Sequence, residues 1–83
     1  MVFNDLGTPF WVAAGGDISW FYNFGDNRGA QYAMANCKTP DGQMMTTAEA
    51  NKLEDDGSVT YYVTFHNNGP MPCFHNLNGG GLA

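Results

Sequence analysis

The sequence predicts an all-β fold of short strands and turns, and three observations carry that prediction. No stretch longer than about eight residues holds a 3.6-residue period. Glycine and proline, 11 and 4 of the 83 residues, interrupt the chain throughout and mark turns. Most telling is the stretch "DGSVTYYVTFHNNGP" (Asp56 to Pro70), which alternates strictly between two faces before it ends in turn residues.

Taken in chain order, "TPFWVAA" (Thr8 to Ala14) is an apolar run closed by the turn signal Gly15-Gly16-Asp17. "DISWFYNF" (Asp17 to Phe24) then places Ile18, Trp20, Tyr22 and Phe24 on one face, and Ser19, Phe21 and Asn23 on the other. "GDNRG" turns the chain into "AQYAMANC" (Ala30 to Cys37), whose small residues suit close packing. Pro40-Asp41-Gly42 marks a type I or II turn.

The segment Gln43 to Glu54 admits two readings. Thr46-Thr47-Ala48-Glu49 has the form of a capping box followed by good helix formers. Asp56-Gly57 is instead a hairpin signal, and a strand here would pair with the clear strand after it. Treating Asp56-Gly57 as a two-residue loop sets Ala50 opposite Val63 and Ala48 opposite Phe65, small against large on the core side. The strand is preferred because it accounts for both segments.

In the clear strand Val59, Tyr61, Val63 and Phe65 form a core face, and Thr60, Tyr62, Thr64 and His66 form an uncharged outward face. Asn67-Asn68-Gly69-Pro70 stops it, because Asn and Gly tolerate positive φ and proline cannot donate to a ladder. "MPCFHNL" reads as a last short strand, and "NGGGLA" as a flexible or tightly turned tail.

Composition sets further bounds. At 83 residues the chain allows one small domain, residues 1–83, with a thin stability margin. Charged residues are 13% and hydrophobic ones 43%, the reverse of a disordered composition. Arg28, Lys38 and Lys52 face eight acidic residues for a net charge of −5. No basic stripe exists to follow phosphates, so nucleic acid is not an expected partner. No apolar run approaches the ~20 residues of a membrane span. The first residues lack the charged and apolar regions of a signal peptide, so any leader would have been removed, or export would follow another route or not occur at all. Cys37 and Cys73 allow one disulfide, worth about 3–4 kcal/mol for the loop it would close; the alternative is two separate buried thiols. Low charge with abundant Asn, Gly, Thr and aromatics leans toward a secreted or cell-surface setting.

The stretch Asp56 to Pro70 resembles the strand-and-turn signature of immunoglobulin-like repeats in bacterial surface and adhesion-related proteins. Gly57, Val59, Thr60, Tyr61, Val63, Thr64, Asn67 or Asn68, Gly69 and Pro70 match that pattern. The likeness covers about 15 residues. Too few residues follow Pro70 to supply the remaining strands of such a repeat, so segments before Gln43 must complete the fold. The resemblance implies a small immunoglobulin-like β-sandwich of five to seven strands with a structural or adhesive role, and it implies no catalytic residue.

Site chemistry is sparse. His66, Cys73 and His75 could offer metal ligands, but the spacings typical of zinc sites are missing. Neither "GDNRG" nor Asp55-Asp56 has the acid spacing of a calcium loop. No nucleophile elbow or cysteine-protease signature is present, and the glycines fit no phosphate-cradling pattern. The expectation is a non-enzymatic protein without cofactor or metal. The aromatic surplus is more informative, because alternation sends Phe21 and Tyr62 outward, away from the core. With Thr60, Thr64 and His66 they form an expected self-association face, on edges that no lysine guards. Homo-oligomer, coat or filament assembly is therefore the first reading. The second is a carbohydrate-binding module, with Trp20, Tyr22, Asp26, Asn27 and Arg28 as its constellation, or a module that binds a host-cell surface protein, including a small secreted toxin.

Overall fold

A computed structural model describes residues 2–6 and 9–81, so Thr8 and the last two residues of "NGGGLA" lie outside the described residues. The described chain is all-β and contains no helix. Its strands are β1 (Val2–Asp5), β2 (Phe10–Val12), β3 (Asp17–Asn23), β4 (Gln31–Cys37), β5 (Met44–Leu53), β6 (Val59–Asn67) and β7 (Cys73–Gly81). They form two antiparallel sheets. In one, β7 is central, with β4 along one side and β1 and β2 in line along the other. In the other, β6 lies between β3 and β5.

The sheets meet through alternate residues. Val63 and Phe65 of β6 pack with Ala33 of β4 and Leu77 of β7, and Leu6, Ile18, Trp20 and Tyr22 close around them. The core face expected for β6 is the one buried: Val59, Tyr61, Val63 and Phe65 are all inside. The segment from Met44 to Leu53 is a strand, since pairing with β6 overrides its helix propensity.

Its register differs from the expected one. Ala50 pairs with Tyr62 and Ala48 with Thr64, so both alanines lie on the outer face. The cause is the loop. Glu54 N–H donates to Ser58 O, Gly57 N–H donates to Glu54 O, and Gly57 takes φ 88°. That is a three-residue hairpin loop, Asp55-Asp56-Gly57, with a left-handed glycine in place of a two-residue turn. One residue of slip exchanges the faces, and a bulge between Thr46 and Ala48 shifts the register again.

The C-terminal segment departs furthest from expectation. β7 runs nine residues, Cys73–Gly81, and is the central strand of its sheet. Gly79, Gly80 and Gly81 are buried within it. At Gly79 a Cβ would collide with the Leu6 side chain and lie 2.6 Å from the Tyr32 carbonyl oxygen. The glycine thus lets the core leucine sit directly on the sheet.

The strand stop also works by another means. Neither Asn67, Asn68 nor Gly69 has positive φ. Asn67 is fully buried, and its Nδ2 donates to the Val12 and Met71 carbonyls at 2.9 Å while its Oδ1 accepts from Gly69 N–H. A satisfied buried amide ties the end of β6 to β2 and to the loop before β7.

Candidate functional site

The expected association face is built by β3 and β6. Phe21 pairs with Tyr62 across the ladder, their ring centroids lie 6.4 Å apart, and they are 75% and 43% exposed. The polar groups around them are already bonded. Ser19 Oγ and Thr64 Oγ1 share a hydrogen bond of 2.9 Å, Thr60 Oγ1 donates to Glu54 Oε1, and His66 Nδ1 lies 2.8 Å from Asp17 Oδ1. Two exposed aromatic rings therefore stand among hydroxyls that already bond within the protein. Thr60, Tyr62, Thr64 and His66 share one face of β6, as alternation requires.

The edges flanking this face are not alike. β5 is exposed along almost its whole length, but it carries Lys52, the inner-face charge Glu49 and the bulge. Those are recognised guards against strand addition, so the expectation of edges without lysine fails at β5. It holds at β3, which among the described residues pairs with β6 alone. The only charge of β3, Asp17, stands at its first residue. Asn67 N–H donates to Gly16 O, which makes the alternate pairs Ile18–Phe65, Trp20–Val63 and Tyr22–Tyr61 the hydrogen-bonded ones. The N–H groups of Ser19, Phe21 and Asn23 consequently point to the open edge.

The five residues of the expected sugar site are not brought together as one surface. Trp20 faces inward, edge-on to His75 and to Phe10. Tyr22 stacks on Tyr61 at 5.2 Å and meets Phe24 edge-on. The loop residues satisfy one another: Arg28 Nε donates to Asp26 Oδ1, Asn27 Oδ1 accepts from Gly29 N–H, and the Arg28 guanidinium lies 3.9 Å over Phe24. Tyr61 Oη donates to Gly29 O and fixes this loop to the sheet.

Cys37 and Cys73 are free thiols, so the expected disulfide is not formed. They nevertheless lie side by side. Burial pushes the Cys73 thiol up from its ordinary pKa, and the neighbouring Cys37 thiol pushes the same way. The turn closed by Gly42 N–H to Thr39 O covers them, with Asp41 at φ 64°. A Cβ at Gly42 would come within 2.7 Å of Cys73 Sγ and 3.7 Å of Cys37 Cβ. Among the described residues no group of three metal-ligating side chains converges, and no helix is long and apolar enough to cross a membrane.

Two features went unseen in sequence. Trp11 projects outward, 57% exposed, beside Phe74 at 5.0 Å, giving the β7 sheet an aromatic pair of its own. A cleft of about 250 Å³ opens between the sheets, lined by Tyr22, Gln31, Glu49, Asn51 and Tyr61 among others. Burial, with Tyr61 and Glu49 beside it, pushes the Tyr22 phenol up to about 12. The one-residue slip of β5 is what turns Glu49 and Asn51 inward, whereas a two-residue loop would place Ala48 and Ala50 there and leave no such cleft legible in sequence. Comparison with family models, curated proteins and solved structures returns no match.

Proposed function

We propose that this chain is a non-enzymatic structural subunit that associates with copies of itself through the β3 edge and the face carrying Phe21 and Tyr62. The observation that carries this reading is the pairing of an open, uninterrupted edge with exposed aromatic rings beside it. Antiparallel self-pairing of β3 opposes no like charges except in registers that place Asp17 against itself, because β3 has no other charge. Thr60, Thr64 and His66 supply the hydroxyl and imidazole surface around the rings. An immunoglobulin-like sandwich at a cell surface or in a secreted coat or fibre is the setting this reading assigns to it. The glycan reading is less favoured, because Trp20 is turned into the core and Asp26 and Arg28 are engaged with each other.

Sedimentation velocity across a concentration range tests the proposal. The wild type is expected to gain mass with concentration. Phe21→Ser is expected to weaken association about tenfold or more, the loss of one buried aromatic anchor, while leaving thermal unfolding of the dilute protein nearly unchanged. A chain that stays monomeric throughout contradicts the proposal.

The same setting implies that the two thiols bond on oxidation. Thiol–disulfide exchange with oxidised glutathione would form one S–S bond and return two glutathione thiols, the protein losing two hydrogens. Mass spectrometry should then show a loss of about 2 Da with no free thiol left, and urea denaturation should show a gain of up to about 3–4 kcal/mol. Retention of both thiols, or a glutathione adduct that does not resolve, contradicts the pairing.

A further inference from the structure

The cleft between β4 and β5 has a donor and acceptor inventory that selects its ligand. Glu49 Oε1 accepts the Ala33 N–H at 3.3 Å, an amide that points away from β7, and Oε2 has no partner among the described residues. Gln31 Nε2 donates to Arg28 O at 3.0 Å, and its Oε1 has no partner among the described residues. Asn51 has no side-chain hydrogen bond among the described residues, and it lies on the inner face of β5 opposite Tyr61. The aromatic wall is the stacked pair Tyr22 and Tyr61. Among the described residues Glu49 is the one charged group in the lining, and the whole chain carries net charge −5.

One carboxylate, side-chain amides that can turn their oxygens inward and two tyrosine rings in one small space suit a flat cation rich in donors. That describes a guanidinium, which pairs with carboxylates in a planar fork and stacks on aromatic faces. At about 250 Å³ the cleft falls below the usual range of drug-sized sites, so it suits the head of one side chain rather than a larger molecule. Anions are excluded by Glu49. We infer that this cleft binds the guanidinium head of an arginine side chain presented by a peptide, with Glu49 as the ion-pair partner and Gln31, Asn51 and the tyrosine pair completing the pocket. Tyr22 of β3 and Tyr62 of the association face both belong to the lining, but the ion pair at Glu49 uses neither the β3 backbone edge nor Phe21, so arginine binding is read apart from self-association.

Amide NMR titration with N-acetyl-arginine amide tests the inference, with the isosteric but uncharged N-acetyl-citrulline amide and methyl glucoside as comparison ligands. Saturable shifts are expected at the amides of Ala33, Glu49 and Asn51 with the arginine derivative. Citrulline should bind about tenfold more weakly or worse, the loss of a charge-assisted contact. Glu49→Gln should lower arginine affinity by a similar factor while keeping an oxygen for the Ala33 N–H. Because Gln retains that hydrogen bond, an unchanged spectrum elsewhere and an unchanged unfolding midpoint are expected of the variant. Citrulline or glucoside binding as tightly as arginine, Glu49→Gln binding arginine undiminished, or no saturable shift with arginine would each overturn the inference.

Discussion

His75 is fully buried beside Trp20 and Phe65, and among the described residues neither of its ring nitrogens has a hydrogen-bond partner of good geometry. An unpaired buried polar group of this kind costs about 1–3 kcal/mol. Burial pushes its pKa below the ordinary histidine value, and the backbone of Phe10 opposes the shift only in part. The folded protein thus holds the neutral imidazole, whereas the unfolded chain takes up a proton at the ordinary value. This stability is fully present above that value and is lost as pH falls below it toward the folded pKa. The midpoint of urea unfolding is therefore expected to fall between pH 7 and pH 5, with His75→Phe less sensitive over that window. Equal pH dependence in the two proteins would show that His75 does not set the acid limit.

At the scale of the element, β7 is the informative strand. Its glycines read in sequence as a tail, because no side chain advertises a face and alternation cannot be scored without one. Their buried role becomes visible only when Leu6 and the Tyr32 carbonyl are found against Gly79. Gly79→Ala is accordingly expected to cost about 1–3 kcal/mol by overpacking, measured by urea denaturation, and a change below about 0.5 kcal/mol would contradict the close approach. β6 was legible down to its faces, since Val59, Tyr61, Val63 and Phe65 alternate with polar residues and nothing competes with that period. β5 was legible as a strand but not in register. The signal Asp56-Gly57 is shared by two-residue and three-residue loops, and Ser58 decides between them by accepting from Glu54 and bonding Asp56 through its N–H and hydroxyl. β1 is not legible in sequence, because four residues carry too little pattern to separate a strand from a turn.

For the whole molecule, two sheets sharing one core leave several edges, and the chain treats them differently. β5 is guarded by a bulge, Lys52 and Glu49, and the free edge of β4 gives its Ala33 N–H to Glu49. β3 has no comparable device within the strand. Its outward aromatic residue was foreseeable from alternation, but its status as the unguarded edge depends on β6 being central, a matter of topology that local sequence does not encode. The most direct measurement is amide hydrogen exchange recorded at low and high protein concentration. Protection is predicted to rise with concentration at Ser19, Phe21 and Asn23, whose N–H groups face the open edge, while Ile18, Trp20 and Tyr22 are protected at both. Exchange at Ser19, Phe21 and Asn23 that is independent of concentration, or protection that appears at β5 instead, would contradict self-association through β3.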